Sequence, residues 1–208
     1  MARWGRKPSV EELLDLVTDL DSLVRALGVA LINALSHYMV VRDGLKLPRA
    51  DLREYILNLA KPPCTACFIG SITPVANAVA DRCVVYQLER RGDLRGDSYP
   101  DVNAPLIVPR CDLLVITGSS LVNNTIDHLL SIKREGARVV LSGPTASAYP
   151  PTMHELGIDV VAGSLVTDPS RAVEMLKLGG GYRRLDKAGL LYKYVSSRDQ
   201  RGWVIGSA

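Results

Sequence analysis

Apolar residues recur at helical spacing through roughly the first 60 positions of the chain. The spacing begins at Val10, and Ser9 with Glu12 three residues later has the pattern of an N-terminal capping box. A longer apolar stretch predicts a second helix over about 22–40, and a short third helix is predicted after Pro48, ending at a double proline. We therefore expect an N-terminal region that is almost wholly helical.

From Thr65 onward the pattern changes to short apolar runs separated by segments of helical character. Runs that are apolar on both faces and alternate with helices indicate a parallel sheet covered on both sides. With right-handed crossovers this predicts an α/β fold, a Rossmann-like doubly wound and mainly parallel sheet. We place the helical region at 1–62 and the Rossmann-like domain at 63–208. The predicted strands lie at 67–70, 83–89, 112–118, 137–143 and 158–166.

One more helix and an edge strand complete the predicted domain. Asp168 has the position of an N-cap before Pro169, a residue favoured at the first helical position, and the predicted helix covers 168–178. Three consecutive glycines at 179–181 end it. The apolar run at 190–195 is predicted to add a strand at the edge of the sheet.

The composition, 47% hydrophobic and 23% charged over 208 residues, is typical of a soluble globular protein. A net charge of +3 and a single Phe argue against nucleic-acid binding through phosphates or stacked bases. The longest apolar run, 27–41, is interrupted by Asn33 and Ser36 and is shorter than the ~20 residues of a membrane span, so we predict a buried helix and no membrane contact. Because the N-terminus shows no apolar leader segment, we expect a cytoplasmic protein.

The four cysteines allow two interpretations. Cys64 and Cys67 form a C-x-x-C, but a zinc site normally has a second pair at similar spacing, whereas Cys83 and Cys111 are single. On a strand, Cys64 and Cys67 also point to opposite faces. Since structural disulfides are improbable in a reducing compartment, we predict small buried hydrophobic side chains, with a metal or redox site as the alternative.

The ends of the first two predicted strands carry residues suited to ligand binding, because open α/β sheets bind their ligands there. Gly70 is followed by Ser71, but Ile72 and Pro74 replace glycines of the dinucleotide fingerprint. Glu89 closes the second strand 19 residues after Gly70, near the spacing of an acid that binds a ribose. The alternative is a plain charge at a strand end beside two arginines.

The third predicted strand runs through a glycine into a cluster of Ser, Asn and Thr residues. One of the two serines is predicted to cap a helix that begins near Leu121. The asparagines and the threonine then fall in its first turn, where backbone N–H groups can bind an anion or carboxylate. Capping explains the serines but leaves the asparagines unexplained. The candidate ligand-binding residues here are Gly118, Ser119, Asn123 and Thr125.

The fourth predicted strand also ends in a glycine, and its candidate ligand-binding residues are Gly143, Pro144 and Thr145. The fifth passes through a glycine into hydroxyl residues as well. Four of the five predicted strand regions therefore show Gly followed by Ser or Thr. Ordinary turn chemistry explains this pattern, and so does a shared polar crevice, so both interpretations remain open.

No catalytic constellation accompanies these residues. His37, His128 and His154 fall within helical patterns and not at strand ends. The sequence contains no nucleophile elbow, zinc-protease helix motif or Walker loop. The residues alone therefore indicate a Rossmann-like ligand-binding protein whose catalytic residues, if it has any, are unknown.

The segments "LGVALINALS" (27–36), "ITGSSLVNNTIDHLL" (116–130) and "LSGPTASAYPPTMHELGIDVVAGSLVTDP" (141–169) resemble the putative heavy-metal chelation family, a domain of unknown function. The resemblance extends over most of 25–195, and Glu89 falls where that family tends to carry an acid. It implies a small enolase-like α+β domain packed on a Rossmann-like domain, with the site between them. Because the first 60 residues here are predicted to be helical, this chain has a reduced version of the small domain.

Two functions follow. The first is a small-ligand or metal-complex binding protein of that family, with the ligand at the C-terminal ends of the parallel strands and a transition metal as the implied cofactor. Direct ligation is its weaker form, since Asn and Thr bind transition metals poorly. The second is an enzyme using S-adenosylmethionine or NAD in the same crevice, with Glu89 on the ribose. The alternative to both is an interaction or assembly subunit with no small ligand. We also expect a homodimer, for which the apolar 27–40 helix is a candidate contact surface.

Overall fold

A seven-stranded sheet forms the centre of the molecule in the computed structural model, which describes residues 6–199. The strands are β1 Cys64–Ile69, β2 Cys83–Glu89, β3 Tyr99–Pro100, β4 Leu113–Thr117, β5 Arg138–Ser142, β6 Val160–Val166 and β7 Leu191–Ser197. Their order is β3-β2-β1-β4-β5-β6-β7, and every neighbouring pair is parallel except β6 and β7. The first six strands follow the order of dinucleotide-binding folds. The predicted α/β, mainly parallel sheet is thereby confirmed, as is the edge strand.

Helices precede the sheet and connect its strands. The N-terminal helices are α1 Val10–Leu14, α2 Ser22–Arg42 and α3 Leu52–Leu59. The capping box of Ser9 and Glu12 is present, and Asp168 caps its helix by accepting the N–H of Arg171. The remaining helices are α4 Thr73–Val79, α5 Gly92–Arg95, α6 Ala104–Ile107, α7 Ser119–Val122, α8 Ile126–Ile132, α9 Pro150–Glu155, α10 Pro169–Lys177 and α11 Tyr182–Lys187.

Each face of the sheet is covered by an apolar cluster. On one face α3 and α4 contribute Ile56 and Val79, which are fully buried. On the other face Val40 from the end of α2 and Leu129 from α8 pack with the strands. The central strands are buried on both sides for this reason, as their nearly continuous apolar sequences require.

Helix α2 is less buried than the sequence predicts. Its buried residues are Arg25, Gly28, Val29, Ser36 and Val40. The opposite face carries an exposed apolar stripe, in which Leu23 is 79% and Val41 is 69% exposed. The prediction of a buried helix is wrong for this face, because apolar residues surround the helix and only one side meets the rest of the chain.

By its length and its mean hydropathy of 1.5, α2 also meets the criteria for a membrane-spanning helix. One such helix does not establish a membrane span, since core helices of soluble proteins meet the same criteria. The homodimer contact suggested for this helix stays a prediction.

All four cysteines form disulfides, Cys64 with Cys83 and Cys67 with Cys111. The prediction of reduced side chains is wrong because the sequence pattern does not show which strands are neighbours. Cys64 and Cys83 are register partners on β1 and β2, with Cα atoms 4.7 Å apart, and the other pair is separated by 5.8 Å.

The prediction that Cys64 and Cys67 point to opposite faces is confirmed, since their disulfides belong to different core clusters. Disulfides are typical of oxidising compartments and of intracellular proteins from hyperthermophiles. The disulfides therefore do not decide the compartment, and the cytoplasmic location stays a prediction.

Candidate functional site

A cavity of about 510 Å³ opens beyond the carboxyl ends of β1, β2 and β4. The strand order reverses between β1 and β4, and this is the position where doubly wound sheets bind ligands. Its floor is apolar, with Ile69 and Leu88, and its rim is polar. Six of the residues predicted from the sequence line it: Gly70, Ser71, Glu89, Ser119, Asn123 and Thr125.

The end of β1 turns closely beside β4. Gly70 has a φ of 103°, a conformation that favours glycine, and a Cβ at this position would lie 2.7 Å from Cγ2 of Thr117. The N–H of Gly70 donates to the carbonyl of Leu88 at 2.8 Å. This glycine is therefore required by the approach of two strand ends.

Glu89 is the last residue of β2, and its side chain lines the cavity although the residue is only 8% exposed. Its Oε1 accepts the backbone N–H of Arg91 at 2.9 Å, while Nε of Arg95 donates to the Glu89 carbonyl at 3.1 Å. Within residues 6–199, no side chain or backbone group donates to Oε2. Because an ionised carboxylate oxygen only accepts hydrogen bonds, Oε2 is suited to accept them from a ligand in the cavity.

The sequence predicts that the polar cluster after β4 forms the first turn of one helix, but the structure differs. Instead α7 is a single turn with Gly118 as its N-cap and no side-chain cap, and α8 begins anew after Thr125. Between them Asn124 has a φ of 57°, a left-handed conformation that Asn adopts more readily than most residues. The turn therefore explains Asn124, whereas Asn123 lines the cavity.

The hydroxyl groups of this cluster have different roles. Ser120 is buried and its Oγ donates to the carbonyl of Thr117 at 2.8 Å, so it serves the local backbone. Ser119 is exposed, and neither its hydroxyl nor the side chain of Asn123 has a hydrogen-bond partner in the described part of the chain. These two side chains remain available to a ligand.

The residues predicted after β5 do not join this cavity. Gly143 and Pro144 line a separate depression of about 330 Å³, and Thr145 lines neither. The carbonyl of Thr145 instead accepts a hydrogen bond from Nδ2 of Asn33 on α2 at 3.2 Å. The strand ends therefore do not share a single crevice.

Helix α2 supports the cavity wall from outside. Nη1 of Arg25 donates to the carbonyl of Val122 at 2.6 Å. Gly118 packs on the loop after β5, because a Cβ there would overlap the backbone nitrogen of Ala146. Since no described residue before β1 lines the cavity, the N-terminal helices hold its wall without facing the ligand space.

Sequence reasoning missed Asp101 and Thr117 and treated Arg90 only as a neighbouring charge, although all three line the cavity. Nε of Arg90 donates to Oδ2 of Asp101 at 2.8 Å. Asp101 follows β3, which pairs with Leu88 and Glu89 over only two residues. A strand this short leaves no alternating pattern, so its end could not be recognised.

The histidines lie outside the polar cavity. His154 is buried in α9, with Nδ1 2.8 Å from the carbonyl of Ile158 and Nε2 2.8 Å from Oγ of Ser196. Burial lowers the pKa of His154, which keeps the imidazole neutral in its structural position.

The described residues contain no group of three or more His, Cys, Asp or Glu that could hold a metal ion. Every cysteine is in a disulfide, so none offers a thiolate. The polar groups of the cavity are hydroxyls, an amide, carboxylates and the guanidinium groups of Arg90 and Arg91, and this set is poorly suited to soft transition metals.

Comparisons with known proteins give one relative by sequence and two by solved structure. An uncharacterized protein of Methanocaldococcus jannaschii is 30% identical over 193 residues, which are 91% of this chain and 70% of the relative. A solved structure of unknown function from Pyrococcus horikoshii has a TM-score of 0.81 at 29% identity, covering 92% of this chain and 76% of that one.

A second solved structure of unknown function, from Desulfitobacterium hafniense, has a TM-score of 0.75 at 23% identity and covers 91% of this chain and 74% of that one. At that identity it supports the fold alone. The model of the DUF364 family, described as putative heavy-metal chelation, matches residues 56–195, which include all seven strands except the end of β7 and the whole cavity lining. The chain therefore belongs to the putative heavy-metal chelation family.

Proposed function

We propose that this chain is a small-ligand binding protein whose cavity holds an organic molecule with adjacent hydroxyl groups, of the kind that a ribose carries. Glu89 is the observation that carries the proposal, since this mostly buried residue lines the cavity and its Oε2 lacks a donor within the described chain. An ionised carboxylate only accepts hydrogen bonds. An acid at the end of the second strand of a doubly wound sheet is well placed to accept them from ribose hydroxyls.

The rest of the cavity is suited to such a ligand. The hydroxyls of Ser71 and Ser119 and the amide of Asn123 lie on its rim and offer both donors and acceptors. A volume of about 510 Å³ is within the range of ordinary small-molecule sites. A small polar molecule can therefore be enclosed with its hydroxyls directed at Glu89.

The family description suggests heavy-metal chelation, but the described residues do not fit a bare metal ion. They provide neither a thiolate nor a cluster of three His, Cys, Asp or Glu. We therefore assign no metal to the cavity, and the proposal is that it recognises the organic ligand itself.

A nucleotide-type cofactor, S-adenosylmethionine or NAD, is the second candidate for the same cavity. The strand order and the position of Glu89 favour it, because both match dinucleotide-binding sheets. The turn at Gly70 lacks the other glycines of the phosphate-binding fingerprint, which makes a closely bound pyrophosphate less suitable than a nucleoside.

The proposal is tested by calorimetric titration of the full chain with the four ribonucleosides and their 2′-deoxy counterparts, together with S-adenosylmethionine and NAD. We expect each ribonucleoside that binds to bind about tenfold more tightly than its 2′-deoxy form, since a hydrogen bond to a charged group contributes ~1.5–3 kcal/mol. Glu89→Gln should reduce this difference to about threefold or less, because the charge is lost.

Glu135→Gln is the matched control, since Glu135 is an exposed carboxylate outside the cavity. It should leave both affinities unchanged. Absence of binding by every ribose-containing compound, or the same ribose preference in Glu89→Gln as in the wild type, would refute the proposed function.

A further inference from the structure

A second cavity of about 390 Å³ continues from the first and is lined mainly by apolar side chains. The two share the floor residues Ile69 and Leu88. Beyond them the second cavity extends to Ala104, Pro105 and Leu129. The crevice therefore has a polar compartment beside Glu89 and an apolar compartment next to it.

An ion pair marks the boundary between the compartments, because Arg90 and Asp101 line both. Nε of Arg90 donates to Oδ2 of Asp101 at 2.8 Å. Oδ1 of Asp101 accepts no hydrogen bond from any group of residues 6–199. The apolar compartment is thus bordered by one carboxylate oxygen that is available to a donor.

We propose that the apolar compartment binds the adenine ring of an adenosine-type ligand, with the exocyclic amino group donating to Oδ1 of Asp101. The inference rests on the proposed function, because a ribose held by Glu89 places its base in the neighbouring compartment. The flat ring packs against Ile69, Leu88 and Leu129, and its amino group supplies the donor that the carboxylate lacks.

The single available oxygen distinguishes adenine from the other bases. Guanine presents two adjacent N–H donors, which match a carboxylate with both oxygens free, but Arg90 occupies Oδ2. Hypoxanthine has a carbonyl in place of the amino group, so an acceptor would face Asp101. Uracil likewise presents a carbonyl to Asp101. Both pyrimidines, uracil and cytosine, also cover less apolar surface than a purine.

The decisive measurement is the affinity of the full chain for adenosine, inosine, guanosine and uridine by calorimetry, in the wild type and in Asp101→Asn. The wild type should prefer adenosine to inosine by about tenfold, because the wrong analogue leaves a carboxylate facing a carbonyl. Asp101→Asn should abolish or reverse that preference, since an amide can donate to the inosine carbonyl.

Asp97→Asn is the control, since Asp97 is an exposed acid in the segment just before β3 and lies outside both cavities. It should keep the adenosine preference. The Arg90 and Asp101 side chains are 53% and 29% exposed, so loss of their pair should leave thermal unfolding nearly unchanged. The base series on the wild type needs no variant and decides the inference even if Asp101→Asn unfolds.

The two proposals fail differently. If all ribonucleosides bind equally and more tightly than their 2′-deoxy forms, the adenine assignment is wrong and the proposed function stands. An adenosine preference that survives in a folded Asp101→Asn also overturns the assignment. If no nucleoside binds, both proposals fall.

Discussion

The carboxyl edge of the sheet opens into the polar cavity over one half (the open half), whereas over the other half (the filled half) loops pack on one another and leave only the separate depression of about 330 Å³. Beyond β1, β2 and β4 lies the polar cavity with Glu89. Beyond β5 and β6 the chain packs on itself, since Oγ of Ser147 accepts the N–H of Ser164 at 3.1 Å and donates locally, while Asn33 donates to Thr145. The same sequence feature, a glycine followed by hydroxyl residues, occurs in both halves.

The difference shows what turns such a feature into a candidate site. In the filled half Ser147 is only 8% exposed, and its hydroxyl forms hydrogen bonds with the backbone of Pro144 and Ser164. In the open half the hydroxyl of Ser119 has no partner in the described chain and lies near a buried carboxylate. Unused polar groups around a buried charge therefore distinguish the candidate site, and the glycine and hydroxyl residues alone do not.

The open half is also the half that carries the disulfides. They join β1 to β2 and β1 to the entry of β4, and the described part of the other half contains none. Strands that lack packing at their carboxyl edge are thus connected covalently, whereas the filled half relies on its loops and on α2.

The largest expected effect comes from removing the longer cross-link. Cys67→Ala with Cys111→Ala opens a loop with a sequence separation of 44 and should lower the free energy of unfolding by about 4 kcal/mol. The matched pair Cys64→Ala and Cys83→Ala, with a separation of 19, should lower it by about 3 kcal/mol. Urea denaturation measures both.

Hydrogen exchange then localises the change. Exchange in β1, β2 and β4 should accelerate in the first double variant more than in β5, β6 and β7. Uniform acceleration across the sheet would show that the two halves do not differ in the way proposed.

A smaller loss of stability is expected at the seam between the two halves, where Gly118 packs against the loop after β5. Gly118→Ala places a Cβ against the backbone of the loop after β5, so stability should fall by about 2–3 kcal/mol. Gly92→Ala is the control, because Gly92 has open space around it and no positive φ. Thermal unfolding that is unchanged in Gly118→Ala would contradict the close packing of the seam.

The smallest expected effects on stability distinguish the hydroxyl of Ser147, which is bonded to the backbone, from that of Ser119, which faces the cavity. Ser147→Ala leaves the Ser164 N–H without its partner and should cost about 1–2 kcal/mol of stability without changing nucleoside affinity. Ser119→Ala should leave stability within about 0.5 kcal/mol but weaken the affinity. Chemical denaturation and calorimetry on the same preparations check both, and the reverse assignment of effects would overturn the comparison.

Local patterns in the sequence were sufficient to predict the sheet, its long helices and the candidate acid at Glu89. Apolar runs and their spacing report burial on both faces, and the carboxyl ends of strands follow from the strand assignments. The filled half could not be predicted, because it depends on Asn33 reaching Thr145 across 112 positions of the chain. The cysteine pairing likewise required the strand order.

Local conformation accounts for the remaining errors. Asn124 is explained by one left-handed residue between two short helices, which no periodicity reveals. The exposed face of α2 has the same apolar character as its covered face, so composition could not tell them apart. The sequence thus predicted which residues are suited to a site but not which of them other elements would cover.

Because the two disulfides are unequally buried, their rates of reduction report on the opening of the strands in the open half. Cys64 is partly exposed, so a thiol reagent can attack the Cys64–Cys83 bond in the folded chain. Cys67 and Cys111 are 0% exposed, so their bond is reduced only when β1 and the entry of β4 separate. The rate at which the Cys67–Cys111 bond is reduced therefore measures how often these strands open. A ligand held at their carboxyl ends would lower that rate.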